Sequence, residues 1–363
     1  MPAPALLDAT PLAGAHSARG IGAAVRGLVG GLAELPAEER PALLVRRGQA
    51  VPAGFEALEV RWPRWPIYRL PDPWPWTVGE RAARRAAGRR FFHAQQPSLV
   101  PPGRTVVTCF DLIPACFPSY LAGPGRAGEA LAYRHFLSRL REAPMVIVPS
   151  RETADDAVRL AGVDRGRIRV VPLAAPEPVA PVGAAPLGPY VLFTGAIEPH
   201  KNAGLAIEAI ARAGSGARLL MAGPWSARRA QRLRDLAARV GADGRVGWLG
   251  LVDAGRLSAL RAGAVAVLVP SRKEGFGLPV LEAMQVGVPV LASDIPALRE
   301  VGGPAARYLS PDDPDPWAAA IDALVTDPAG RGARAALGRA RAAEFSWRAT
   351  AEATVAVYRE VDA

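Results

Sequence analysis

Two successive α/β units, each a doubly wound parallel sheet with helices on both faces, are the fold class this chain predicts. Three observations carry that expectation. Short apolar runs without polar alternation recur along the chain, the pattern of parallel strands buried on both faces. Between them lie stretches with apolar residues at helical spacing, so strands and helices alternate. Near the middle of the 363 residues, Pro172, Pro176, Pro178, Pro181, Pro186 and Pro189 break the alternation, as a stiff extended linker does.

The first unit, residues 1–172, opens on a short strand from Ala5 to Ala9. A Gly20-Ile-Gly22 loop follows, and Ile21, Val25, Leu28, Val29, Leu32 and Leu35 form the apolar stripe of an amphipathic helix. Apolar strands are expected at Pro41–Val45, Val106–Phe110, Met145–Pro149 and Ile168–Val171, with Ser150 as the N-cap of the helix from Glu152 onward. After the linker at 173–189, the second unit covers 190–345. Its strands are expected at Tyr190–Thr194, Arg218–Ala222, Val246–Leu249, Ala264–Pro270 and Val288–Ala292. A last helix at 346–363 offers Trp347, Val355 and Tyr358 for packing.

The most informative segment runs from Ser271 to Met284. It places Glu274 before a Gly275-Phe276-Gly277 turn and Glu282 inside the helix that follows, which Pro279 suits in its first turn. Glycines there let a backbone approach a ligand, and the free N–H groups at a helix start favour a phosphate. Acids beside such a site make sense as acceptors of sugar hydroxyl hydrogen bonds. Lysine usage sharpens this: of 44 Lys and Arg residues only Lys201 and Lys273 are lysine. Lys201 lies in a second strand-then-glycine loop, Phe193 to Asn202, where a compact ammonium serves as a point-charge phosphate binder. Lys273 reads as a solvated surface lysine.

These segments resemble the retaining glycosyltransferases of family 4, over nearly the whole chain. Gly195 through Asn202 is similar to the family's Gly-x-x-x-Pro-Arg-Lys-Asn phosphate segment, and Glu274 to Glu282 to its Glu-x7-Glu motif. Val246 to Gly250, Pro289 to Ser293 and Glu300 to Gly303 match further strands and loops, Arg19 to Gly22 the first loop, and Thr105 to Pro114 the His-Asp segment. The resemblance implies the GT-B fold, two Rossmann-like domains facing a central cleft, with the last helix crossing back to the N-terminal, acceptor-side domain. It implies transfer of a hexosyl group with retention, without a metal or other cofactor, from a nucleotide diphosphate sugar used as co-substrate. GDP-mannose is the first candidate donor. The acceptor is a hydroxyl of a glycan, a glycolipid or a natural product. Lys201 and the loop around Gly275, Phe276, Gly277 and Leu278 then neutralise the diphosphate. Glu274 holds sugar hydroxyls, Glu282 the ribose, backbone near Leu249 the base, and Gly20, Gly22 and Gly195 line the donor loops. The chain departs from the family at Phe110, where His is common, and at Ala196 and His200, where Arg occurs. Lys201 is thereby left to supply most of the side-chain charge. The same departures keep open a second reading, a catalytically degraded binding or partner subunit.

Composition bounds the remaining classes. A net charge of +10 invites a polyanion partner, but no zinc-finger, RRM or KH signature is present, so nucleic acid is not expected. A nucleotide diphosphate or an anionic membrane surface accounts for the charge better. Trp62, Trp65, Trp74 and Trp76 followed by Arg81, Arg84, Arg85, Arg89 and Arg90 suit either a membrane-surface or acceptor element or a loop and a solvated helix face. No signal-length apolar core and no spanning run is visible, and Cys109 and Cys116 sit in one apolar segment, so a cytoplasmic protein is expected. Metal-ligand spacings are missing. Asp111, at a strand end, reads as an acceptor-side group or a turn aspartate, and His93 as an acceptor-side or a structural histidine. No Gly-x-Ser-x-Gly elbow exists, and Val25 occupies the third-glycine position a dinucleotide fingerprint needs.

Overall fold

The computed structural model describes residues 5–13, 20–60, 74–123 and 125–362. Trp62 and Trp65, and the side chains of Trp74 and Trp76, lie outside the described residues. The chain divides into two compact units, one running to Ala174 and resuming at Phe345, the other Ala175–Glu344. The first contains β1 (Ala5–Asp8), α1 (Gly20–Ala33), β2 (Ala42–Arg46), β3 (Ala57–Val60), α2 (Trp74–Ala87), β4 (Phe91–Ala94), β5 (Thr105–Thr108), α3 (Ile113–Cys116), α4 (Ala127–Glu142), β6 (Met145–Val148), α5 (Arg151–Ala161) and β7 (Ile168–Val170). The second contains β8 (Tyr190–Thr194), α6 (Ala203–Arg212), β9 (Arg218–Ala222), α7 (Ala227–Arg239), β10 (Val246–Gly250), α8 (Ala254–Ala262), β11 (Ala266–Val269), α9 (Leu278–Gln285), β12 (Val290–Ser293), α10 (Pro296–Gly302), β13 (Arg307–Leu309), α11 (Asp315–Thr326) and α12 (Pro328–Ala342). The final helix, α13 (Trp347–Asp362), belongs to the first unit.

Both sheets are wholly parallel, as the uninterrupted apolar runs require. The first is ordered β3-β2-β1-β4-β5-β6-β7 and the second β10-β9-β8-β11-β12-β13. Strand order therefore reverses between β1 and β4, and again between β8 and β11. In open α/β sheets a ligand binds outside the carboxyl ends of the strands at such a reversal. Helix ends follow local chemistry. The Ser150 hydroxyl accepts from Thr153 N–H at 3.1 Å to start α5, and Gly162 at φ 69° ends it. One expectation is corrected here: Gly20 and Gly22 do not form a loop but the first turn of α1, because the apolar stripe carries the helix back to residue 20. Among the described residues no helix is long and apolar enough to cross a membrane.

The re-entry of α13 is built on glycine. A Cβ at Gly27 would lie 2.0 Å from the Trp347 ring, and one at Gly31 would lie 2.1 Å from the Trp347 carbonyl oxygen. Small residues thus let α1 and α13 approach backbone to side chain, and Val355, Val357 and Tyr358 are buried along the same helix. The Thr350 hydroxyl also donates to Pro172 O at 2.7 Å, fastening the helix to the end of the first unit's strand region. Gly30, one residue from Gly31, is exposed with nothing within 4 Å of a Cβ. Gly31→Ala is therefore expected to loosen α13 and destabilise the first unit by about 1–3 kcal/mol, the cost of overpacking. Gly30→Ala is expected to stabilise it by about 0.5–1 kcal/mol through helix propensity. Urea unfolding of both variants checks this, and equal effects at the two positions would contradict the packing.

Candidate functional site

At the reversal in the second sheet, the ends of β8 and β11 bring two loops together. Gly195 follows β8 in the left-handed region at φ 125° and is crowded by the next loop, since a Cβ at Gly223 would lie 2.1 Å from Gly195 O. The chain then makes one short turn through Pro199–Lys201. Asn202, at φ 53°, is the one non-glycine with a left-handed φ among the described residues. Its side-chain amide donates to Pro311 O at 2.8 Å, which secures the bend into α6. From the β11 side, the backbone N–H of Arg272 donates to His200 O at 2.7 Å, tying the two loops directly. Gly277, at φ 112°, then caps α9, so a left-handed residue sets the direction in which that helix presents its first amides.

Lys201 and Glu274 meet at this junction. The ammonium donates to both carboxylate oxygens, at 2.6 and 2.8 Å, and the Ser271 hydroxyl donates to Oε1 at 2.6 Å. The Glu274 side chain is 7% exposed and that of Lys201 21%. An ammonium has three donors and a carboxylate about four lone-pair sites. Lys201 therefore keeps one N–H, and Glu274 one acceptor site on Oε2, for something else. Burial pushes the Glu274 carboxyl up, but the Lys201 charge, the Lys201 and Ser271 hydrogen bonds and His200 outweigh it and hold the pKa below 4.5. The site is thus a paired anion and cation, both with bonding capacity to spare.

The other expected site residues are distributed as follows. Gly275, Phe276 and Gly277 are buried in the turn between Glu274 and α9, and Leu278 is half-buried at the first helical position. Leu249 lies near the end of β10, half-buried, beside Gly250 at φ 69°. Glu282, one turn into α9, is not brought to Lys201; its Oε2 accepts from Arg261 on α8 at 2.5 Å. His200 is buried, and burial, reinforced by the Lys201 charge, lowers its pKa to about 4. It is neutral near pH 7 and adds no charge to the loop. Ser271, Arg261 and the bend at Asn202 were not singled out by sequence. Ser271 had a signal, standing three residues before Glu274 at a strand end; Arg261 had none.

In the first unit, Asp111 is half-buried, and its Oδ1 accepts from Ile113 N–H at 3.0 Å, the geometry of a turn aspartate. For His93 the structural alternative is the one observed, in place of the acceptor side. It is fully buried within β4, its ring bonded to Tyr358 Oη and to Thr108 Oγ1, each at 2.7 Å. Helix α13 covers that position, so His93 holds the terminal helix and lines no open surface. Burial drives its pKa down to about 3. The first sheet's own reversal is closed on itself: Asp8, fully buried, accepts from Thr10 N–H and hydroxyl and from Gln96 Nε2 at 3.0, 2.6 and 2.9 Å.

The family model Glycosyl transferases group 1 matches residues 181–342, and Glycosyltransferase Family 4 matches 19–175. D-inositol 3-phosphate glycosyltransferase of Nocardia farcinica is 34% identical over 239 residues, covering 60% of this chain and 53% of that protein. O-antigen chain mannosyltransferase B of Escherichia coli is 30% identical over 234 residues, covering 61% of each. The chain therefore spans little more than half the length of these relatives. Among solved structures, Anabaena HepE in complex with UDP and glucose has a TM-score of 0.72 at 16% identity, covering 98% of this chain and 99% of that one.

The ion pair makes a signed prediction. In the intact protein the depressed Glu274 pKa adds stability above the unfolded value of 4.5, and that contribution is lost as pH falls through the folded value. In Lys201→Met the carboxylate is buried without its cation, so its pKa should rise above 4.5 and stability should instead decline as pH rises past that value. The expected loss near neutrality is about 3–5 kcal/mol, with Glu274→Gln in the same background recovering part of it. Calorimetry of the single and double variants at several pH values measures this; additive losses would show that the two side chains do not depend on each other.

Proposed function

We propose that this chain, which belongs to the family 4 glycosyltransferases and carries their GT-B pair of Rossmann-like units, moves a hexosyl group from a nucleotide diphosphate sugar to an acceptor hydroxyl with retention. The observation that carries the proposal is the Lys201–Glu274 pair at the reversal of the second sheet, beside the start of α9. Lys201 has one donor free for the departing diphosphate. The N-terminal end of α9, where Pro279 carries no N–H and Val280 N–H is bonded to Gly277 O, adds a positive dipole end with the Leu278 amide. Glu274 has one acceptor site for a donor-sugar hydroxyl. Glu282 meets the ribose, and backbone at Leu249 the base. UDP is bound by HepE, which supports a nucleotide sugar as donor. GDP-mannose is the donor we put first, on the strength of the mannosyltransferase among the relatives.

In this mechanism the acceptor hydroxyl attacks the face from which the nucleotide leaves, and the departing phosphate oxygen takes its proton. The C1–O bond to the diphosphate breaks as the C1–O bond to the acceptor forms. The residues contribute positioning and charge, so they act more strongly on the transition state than on the bound donor. Lys201 and the positive end of α9 supply the field, so transfer is proposed to proceed without a divalent cation. Asp111 is the remaining acceptor-side candidate in the first unit, and the acceptor is a glycan, a glycolipid or a natural product.

The test is a panel of GDP-mannose, UDP-glucose and dTDP-glucose incubated with the purified chain, following donor loss and the anomeric configuration of the product. Turnover is expected with one donor, unchanged by EDTA. Lys201→Ala should lower the turnover number by about a hundredfold or more while the protein stays folded. Failure to consume any donor, rescue only by added Mg²⁺ or Mn²⁺, or near-normal turnover in Lys201→Ala would contradict the respective part.

A further inference from the structure

The second acid of the motif is not free. Glu282 sits one turn into α9, and its single recorded partner among the described residues is Arg261, in the last turn of α8. The contact is one N–H to one oxygen, Arg261 Nη2 to Glu282 Oε2 at 2.5 Å, with the side chains 14% and 23% exposed. Arginine–carboxylate pairs are frequently two-bond forks, whereas this one, largely withdrawn from water, is closed by a single bond. Here the fork is incomplete, and Oε1 is left open. The two helices also stand next to different parts of the site. Helix α8 follows the strand that ends at Leu249 and Gly250, and α9 follows the turn after Glu274.

We infer that Arg261 is a positioning residue for the nucleotide ribose: it grips Glu282 Oε2 and turns the carboxylate so that Oε1 receives the vicinal hydroxyls. A carboxylate on a flexible side chain must be ordered before it can bond a diol, and that ordering costs binding free energy. With Oε2 already held, the cost is met in the ligand-free protein. The inference rests on the proposed role of Glu282 and adds the residue that makes it effective.

The experiment separates ribose recognition from general stability. Calorimetry gives the affinities of GDP and UDP and of their 2′,3′-dideoxy counterparts for the intact chain, Arg261→Met, Arg261→Gln and Glu282→Gln, with melting temperatures recorded. The unaltered chain is expected to prefer the ribose form of its nucleotide by about tenfold or more, the scale of a charge-assisted hydrogen bond. Arg261→Met should remove most of that preference and leave the dideoxy affinity within about twofold. Arg261→Gln, which keeps a donor, tests the same point if the methionine variant does not fold. Equal weakening of ribose and dideoxy forms, or no change in either, while Glu282→Gln abolishes the preference, would overturn the role of Arg261. A ribose preference that survives Glu282→Gln would overturn the underlying role of Glu282 and this inference with it.

Discussion

The second unit is organised around one constraint, a buried carboxylate that must keep its cation. Removing Glu274 from water is costly, and Lys201 offsets that cost only from within hydrogen-bonding distance. The loop after β8 therefore has to bend back sharply, which is what Gly195 and Asn202 at positive φ accomplish. It must also stay in register with the loop after β11, and the Arg272-to-His200 backbone bond provides that. Ser271 and the start of α9 complete the enclosure. Replacing such a pair by apolar groups is often neutral or stabilising in other proteins, so stability alone is a weak reason to keep it. Spare bonding capacity on both partners at a topological reversal is a better one.

The first unit is organised differently. Its own strand-order reversal is occupied by Asp8, Thr10 and Gln96 bonding one another. Its stability depends on a helix that returns from the far end of the chain. Trp347 lies against Gly27 and Gly31, and Tyr358 reaches through to His93 in the middle of β4. The buried histidine is thus held neutral by the packing that holds the helix. Acid works against this arrangement: the unfolded chain binds a proton below about pH 6.5 that folded His93 refuses until about pH 3.

Much of this was legible in the residues, and the gaps have physical causes. Uninterrupted apolar runs announced most of the central strands, since only two-sided burial tolerates them, whereas the four-residue β4, with His93 in its run, was not among the strands expected. The edge strands β3 and β13 escaped notice: Ala57-Leu-Glu-Val60 is largely exposed, and Arg307–Leu309 is three residues long. Lys201 stood out through the scarcity of lysine, and Glu274 and Glu282 through the glycine turn between them. His93 looked like a strand-end group because sequence does not show which helix will cover it, and α13 lies 265 positions away at Tyr358. Arg261 was invisible among so many arginines, because its partner is set by the crossing of α8 and α9 rather than by spacing. Gly20 and Gly22 read as a loop on glycine content, although the apolar stripe behind them was long enough to recruit both into α1.

Hydrogen exchange of the intact chain with and without GDP or UDP tests the central claim most directly, because it reports where the nucleotide diphosphate sits without requiring an acceptor. Slowed exchange is predicted at the amides of residues 195–202 and 274–278, the two loops joined by Lys201 and Glu274. Protection confined to the strand ends of the first sheet, around Asp8 to Thr10 and Gln95 to Gln96, would contradict it.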